Sequence, residues 1–254
     1  MRSRAQIYIS GSLTWIAGFV DAAGFLALLQ IYTANMSGNS VAFGIQLWNQ
    51  NWVEALRRGW PVAIYVIGSL IGRILLEIGA RLKIRPMASI AFCIEIALLL
   101  PVSVAHSLVW SESASLADFA FIGLLALAMG IQNATLTRFS SLTLHTGFVT
   151  GTLLKFAEQF TKYLTWCFDE MHRHGMPFTN VLRKSGRQKD FQLSVWLGSV
   201  WAAYVIGAIC GAAAHSAIDL KCLFVPIAGL AILALIDLQN PLAVKEEEEQ
   251  NKLP

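Results

Sequence analysis

Long apolar stretches separated by short charged or proline-bearing segments set the pattern of the chain. A hydrocarbon core about 30 Å thick takes ~20 apolar residues as helix. Six stretches reach that length, at roughly 9–31, 60–80, 88–108, 116–137, 191–214 and 220–238. Arg81-Leu82-Lys83-Ile84-Arg85-Pro86 closes the second, and Asn240-Pro241 follows the last. Two further segments fit less well. Ser37–Arg58 has only a short apolar portion, Val41–Trp48, before Asn49-Gln50-Asn51. Thr146–Phe168 places Lys155, Glu158 and Lys162 on an otherwise apolar helix. Both are predicted to be half-membrane or amphipathic helices packed against the bundle. Non-spanning backbone at depth is tolerated only where protein or a water-filled cavity surrounds it.

Composition agrees with the pattern. Of 254 residues, 56% are hydrophobic and 14% are charged. The charged share falls well short of the quarter or so usual in soluble domains. Mean hydropathy is +0.56. These values exclude an ordinary soluble enzyme, a disordered chain and a secreted disulfide scaffold. The net charge of +3 is too small to point to nucleic acid. Cys93, Cys167, Cys210 and Cys222 form no Cys-x-x-Cys pair, and no histidine stands at metal-ligand spacing from them. They are expected to be small buried hydrophobes, with no metal and no cofactor.

The basic residues serve as topology signals. With six spans and a cytoplasmic N-terminus, 15 of the 19 lie on the cytoplasmic side. An eight-span arrangement fits the positive-inside rule less well. Arg2 and Arg4 hold the N-terminus of an uncleaved first helix inside. Residues 169–190 are expected to be a basic cytoplasmic loop, and 240–254 a disordered charged tail.

Comparing the halves reveals a repeat. Gly18-Phe19-Val20-Asp21-Ala22 resembles Gly130-Ile131-Gln132-Asn133-Ala134. Thr33-Ala34-Asn35-Met36-Ser37-Gly38-Asn39 resembles Thr146-Gly147-Phe148-Val149-Thr150-Gly151-Thr152. Tyr65-Val66-Ile67-Gly68-Ser69-Leu70-Ile71-Gly72 matches Tyr204-Val205-Ile206-Gly207-Ala208-Ile209-Cys210-Gly211. The fold expected is therefore all-α: a single polytopic membrane helix bundle of about six spans and two half-membrane helices. Its repeats cover 9–110 and 115–238. Three spans in each half make the repeat inverted, the favoured arrangement and one that many secondary transporters use. Four in each half make it parallel.

Chemistry-bearing positions are few. Asp21 stands within the first span, where a carboxylate costs roughly 2.5–3.5 kcal/mol on insertion scales and needs a cavity or a partner. Asn133 is its neutral repeat mate. Thr33 with Ser37, Gly38 and Asn39, and Thr146 with Thr150, Gly151 and Thr152, place hydroxyls just before a half-helix, where they are expected to cap it. A buried helix N-terminus suits an anionic or polar group. His145 and Lys155 adjoin the second motif, and Asn35 the first. Arg73 and Glu77 are spaced to pair on one helix face. Glu95 is an acid inside a span with no repeat counterpart, either proton-coupling or paired with Arg73. Gly68 and Gly72, with Gly207 and Gly211, have the small-x-x-x-small spacing that packs membrane helices closely.

These motifs, together with His145-Thr146-Gly147-Phe148-Val149-Thr150-Gly151-Thr152-Leu153, resemble the YoaK-like family of bacterial membrane proteins over roughly residues 9–238. Ser37 stands where that family usually has threonine in Met-Thr-Gly-Asn. The resemblance implies an inner-membrane protein of about six helices, from a family of unknown function, and implies no substrate.

No Walker loop, dinucleotide fingerprint, zinc-protease motif or nucleophile elbow occurs, so no enzyme is expected. The expectation is a multi-pass protein of the bacterial inner membrane with both termini cytoplasmic. Its partners are the lipid bilayer and an unidentified small molecule, with a homo-oligomer possible and no nucleic acid. The lead function is a secondary transporter or channel for a small polar or anionic solute. The site would draw on Asp21, Asn35, Ser37, Gly38, Asn39, Asn133, His145, Thr146, Thr150, Gly151 and Lys155. The alternative is a non-transporting scaffold or lipid-interacting protein.

Overall fold

The structure is a computed structural model describing residues 4–84, 86–105, 116–139, 149–173 and 175–239. Among the described residues all regular structure is helical: α1 (Arg4–Ala27), α2 (Met36–Trp48), α3 (Trp52–Arg81), α4 (Met87–Ala105), α5 (Leu116–Phe139), α6 (Val149–His172), α7 (Phe178–Ser185), α8 (Lys189–Ile218), a 3-10 turn (Asp219–Leu223) and α9 (Phe224–Gln239). Local chemistry sets several boundaries. Gln50 and Lys83 take positive φ at the ends of α2 and α3. The N–H of the following residue then reaches back to the carbonyl five residues earlier, Asn51 to Gln46 and Ile84 to Gly79, which satisfies otherwise free carbonyls. The Asn51 side chain then accepts from Glu54 N–H and starts α3, and the Gln188 side chain does the same for α8 by accepting from Phe191 N–H.

The length of apolar helix makes this a multi-pass membrane protein. Five segments are long and apolar enough to cross: Tyr8–Ala27, Trp52–Arg81, Met87–Val104, Leu116–Leu136 and Lys189–Gln239. The last contains two helices, because Asp219 takes a φ of 55° and ends α8. The sixth stretch, at 220–238, is thus a 3-10 turn followed by the 16-residue α9. The span expected at 9–31 ends at Ala27, and the span expected at 60–80 begins earlier, at Trp52.

The α5 and α1 spans are 78% and 67% buried, against 22% for α3, so α1 and α5 form the centre. Helix α1 packs along α8, and α3 along α5. Both pairs run parallel: Trp15 and Phe19 carbonyls face Gly207 and Gly211, while Leu127 and Ile131 face Gly68 and Gly72. Helices α1 and α5 run antiparallel. Gln132 Nε2 donates to the Leu13 carbonyl (2.8 Å), whereas Gly24, further along α1, faces Leu125, earlier on α5. Helix α2 lies on α3, α6 on α8, and α4 on α9 and α5. The core draws on α1, α4, α5 and α9, with Leu13, Ile16, Phe92, Leu99, Leu125 and Leu230 fully buried.

Several expectations are corrected. Residues 169–190 are largely helical rather than a loop. Helix α6 continues to His172, and α7 docks on it through a hydrogen bond between the Tyr163 and Ser185 hydroxyls (2.7 Å). The many charges there hide a short amphipathic helix that buries only Val181 and Ser185. Cys93 is exposed and only Cys222 is buried. An apolar stretch facing lipid looks in sequence like one facing a core. Glu77 pairs with Arg81 (3.0 Å), and Arg73 is exposed. Glu158 pairs with Lys162 (2.6 Å).

Candidate functional site

Asp21 is the organising polar residue of the first half. It is 3% exposed, and four donors converge on its carboxylate. Oδ1 accepts from Thr33 N–H (2.7 Å), Ala34 N–H (2.8 Å) and the Thr33 hydroxyl (3.1 Å); Oδ2 accepts from the Tyr204 hydroxyl on α8 (2.7 Å). The first three bonds fix the course of the chain. Helix α1 ends six residues after Asp21, or about 9 Å further at 1.5 Å per residue. The chain then turns back until Thr33 and Ala34 lie level with Asp21, and α2 starts from there. Thirteen residues make α2 about 20 Å long, too short to cross. Segment 28–35 therefore doubles back beside α1, and α2 falls short of a span.

The reversal occurs at Leu29 and Gln30, with φ of 54° and 52°. Two consecutive non-glycine residues in the left-handed region cost energy, and surrounding contacts must hold them there. The Asp21 bonds supply one restraint. Arg58 Nη1, donating to the Gln30 carbonyl (2.6 Å), supplies another.

Asn39 completes this centre. It is 1% exposed on α2; its Nδ2 donates to the Tyr32 carbonyl (2.7 Å) and its Oδ1 accepts from Tyr32 N–H (3.2 Å). The side-chain amide thus pairs with Tyr32 as a neighbouring strand would. Asn35 is the N-cap of α2, but its side chain caps no backbone N–H of the helix; it accepts from the exposed Ser37 hydroxyl instead (2.8 Å). The expected hydroxyl cap is thus corrected. The Thr33 hydroxyl is taken by Asp21, and Ser37 lies inside the first turn. Gly38 is half-buried beneath the Tyr32 ring.

The second centre uses matching positions. Asn133 on α5 is 4% exposed, and its Nδ2 donates to the Tyr65 hydroxyl on α3 (2.7 Å). Asp21 with Tyr204 and Asn133 with Tyr65 therefore each join a residue of one half to a tyrosine of the other. The glycines align in the same way. A Cβ at Gly18 would strike the Tyr204 carbonyl, and one at Gly130 the Tyr65 carbonyl. A Cβ at Gly207 or Gly211 would strike α1 backbone, and one at Gly68 or Gly72 would strike α5. Thr150 and Gly151 lie within α6 rather than before it, Thr150 exposed and Gly151 half-buried. Lys155 is half-buried on the same helix. His145 and Thr146 lie outside the described residues.

A protein-family profile described as "Protein of unknown function (DUF1275)" matches residues 9–236. The chain belongs to this family. The YoaK-like resemblance is consistent with the match, which spans both halves and both polar centres. No curated protein and no solved structure matches the chain.

Sequence reasoning named Asp21, Asn39 and Asn133 but gave no chemistry to Tyr65 or Tyr204, and gave Thr33 only a capping role. The signal was available, since both tyrosines open the repeated Tyr-Val-Ile-Gly motif. Ser89 and Asp237 gave no such signal. The Ser89 N–H (2.8 Å) and hydroxyl (2.7 Å) both donate to the buried Asp237, tying α4 to α9 across 148 residues of sequence. Among the described residues no cluster of His, Cys, Asp or Glu could hold a metal.

Proposed function

We propose that the protein is a secondary transporter or channel for a small polar or anionic solute. In this reading the halves form a 3+3 inverted repeat and move against each other in the bacterial inner membrane, with both termini cytoplasmic. The observation that carries it is the antiparallel course of α1 and α5, together with the matched Asp21–Tyr204 and Asn133–Tyr65 bonds. An inverted repeat predicts opposed directions for its first helices, and a parallel repeat predicts the same direction. Support also comes from the segment that doubles back before α2. Transporters use non-helical backbone and half-helix ends at depth to meet substrate. The solute would approach Asn35, Ser37, Gly38 and Asn39 on one side, and Thr150, Gly151 and Lys155, with His145 and Thr146, on the other.

The test is a thermal-shift screen of small polar and anionic metabolites on detergent-purified protein, since a ligand that binds the native state raises its apparent stability. Hits proceed to uptake by proteoliposomes. Asp21→Asn is expected to abolish uptake while leaving membrane abundance unchanged; undiminished uptake removes Asp21 from the solute path. One observation favours a second reading, a non-transporting scaffold: the bonds donated by Thr33, Ala34 and Tyr204 engage both oxygens of the Asp21 carboxylate. That reading predicts loss of an oligomer on Gly68→Leu or Gly207→Leu, and no solute accumulation.

A further inference from the structure

Glu95 lies at the middle of α4, the ninth of 19 residues. It shares the inward face with Ala88, Phe92, Leu99 and Val102, all buried. Its own exposure is 0%, and among the described residues neither carboxyl oxygen has a hydrogen-bond partner. This is the reverse of Asp21. An ionised carboxylate without donors, removed from both water and lipid headgroups, is among the costliest groups a fold can hold; such groups escape the cost by staying neutral.

Among the described residues, the helices packed on α4 bring no compensating charge to Glu95. On α9 the buried acid is Asp237, bonded to Ser89, six residues or about 9 Å before Glu95 along α4. The 3-10 turn contributes Asp219, Lys221 and Cys222, with Asp219 paired to His215 (3.3 Å). Helix α5 contributes Asp118 in its first turn. On α3, Arg73, Glu77 and Arg81 are exposed. None of these bonds to Glu95. A glutamate that packs as an apolar residue but pairs with nothing has one property that leucine or methionine lacks in the same place. It can hold a proton and release it when its surroundings change.

We propose that Glu95 is a proton-carrying site of this protein, holding its proton in the closed bundle and releasing it to water when the packing of α4 against α5 and α9 opens. The step balances as an acid dissociation: the O–H bond breaks, the proton goes to water, and the carboxylate remains until it is reprotonated before closure. The inference rests on the transporter reading, to which it adds the coupling ion.

The test needs no solute. Amide hydrogen exchange is measured over α4 on full-length protein in lipid nanodiscs for native, Glu95→Gln and Glu95→Met, from about pH 6 to about pH 9. Taking the ratio of native to Glu95→Gln rates at each pH cancels the chemistry of exchange itself. If opening releases one proton, the ratio rises about tenfold per pH unit, the linkage of a single proton. A flat ratio overturns the proposal. Glu95→Met must give the same result as Glu95→Gln, and it keeps the comparison open should the amide fail to fold. Infrared spectra supply the second readout. A protonated-carboxyl band present in native protein and missing from both variants is expected, and its absence from the native spectrum overturns the proposal. Failure of every solute to accumulate in liposomes would instead remove the transporter reading, so the two failures are distinguishable.

Discussion

Asp21→Ala is the most informative perturbation of the segment that doubles back beside α1. It strands four donors at once: the Thr33 and Ala34 amides and the Thr33 and Tyr204 hydroxyls. A buried donor left without a partner costs about 1–3 kcal/mol. Four of them amount to about 4–12 kcal/mol, and relaxation of the turn draws the sum toward the lower end. For a chain of this size 1 kcal/mol moves the thermal midpoint by about 2–4 °C, so Asp21→Ala should lower it by about 8–16 °C. Asp21→Asn behaves differently, because the fold already contains its geometry. Asn133 Nδ2 donates to the Tyr65 hydroxyl at 2.7 Å, and an asparagine at 21 can do the same toward Tyr204 while its oxygen keeps the other three donors. It loses only the charge-assisted strength of those bonds, which are roughly twice as strong as neutral ones. Its shift should be a small fraction of the alanine shift. The assay is thermal unfolding of detergent-purified protein, with protease cleavage within 28–35 as a local readout. An alanine variant as stable as the native protein, or an asparagine variant as damaged as alanine, refutes the assignment of Asp21 as the anchor of the segment.

Further outcomes follow from the same contacts. Gly207→Leu should greatly reduce the yield of folded protein, because a side chain there meets the Trp15 backbone; Gly44→Leu on α2, with open space around it, should leave yield unchanged. Ser89→Ala removes the hydroxyl bonds to Asp237 and the Ala234 carbonyl and should cost about 1–3 kcal/mol, read as a lower thermal midpoint. Tyr163→Phe loses the bond to Ser185 and should increase proteolysis between α6 and α8 with little change in the global midpoint. Tyr204→Phe and Asp21→Ala should be non-additive when combined, since each removes the same hydrogen bond; strict additivity would mean the bond contributes nothing.

The sequence by itself determined the class of the protein, the approximate positions of its long helices and the correspondence of its halves. These properties are written locally: apolar length reports a membrane helix, and recurring Gly-x-x-x-Gly and Asp/Asn positions report a repeat. It also pointed to Asp21, since an acid inside an apolar span is visible without coordinates. The tertiary structure decided what each polar residue touches. Apolar residues read alike whether they face lipid or protein, so the exposure of Cys93 and the outward face of α3 were illegible. Partners distant in sequence left no mark either; nothing near Asp21 names Tyr204, 183 residues away. Nor does Glu95 differ in sequence from an acid with a partner. Only the tertiary packing shows that Asp21 is met by four donors and Glu95, among the described residues, by none.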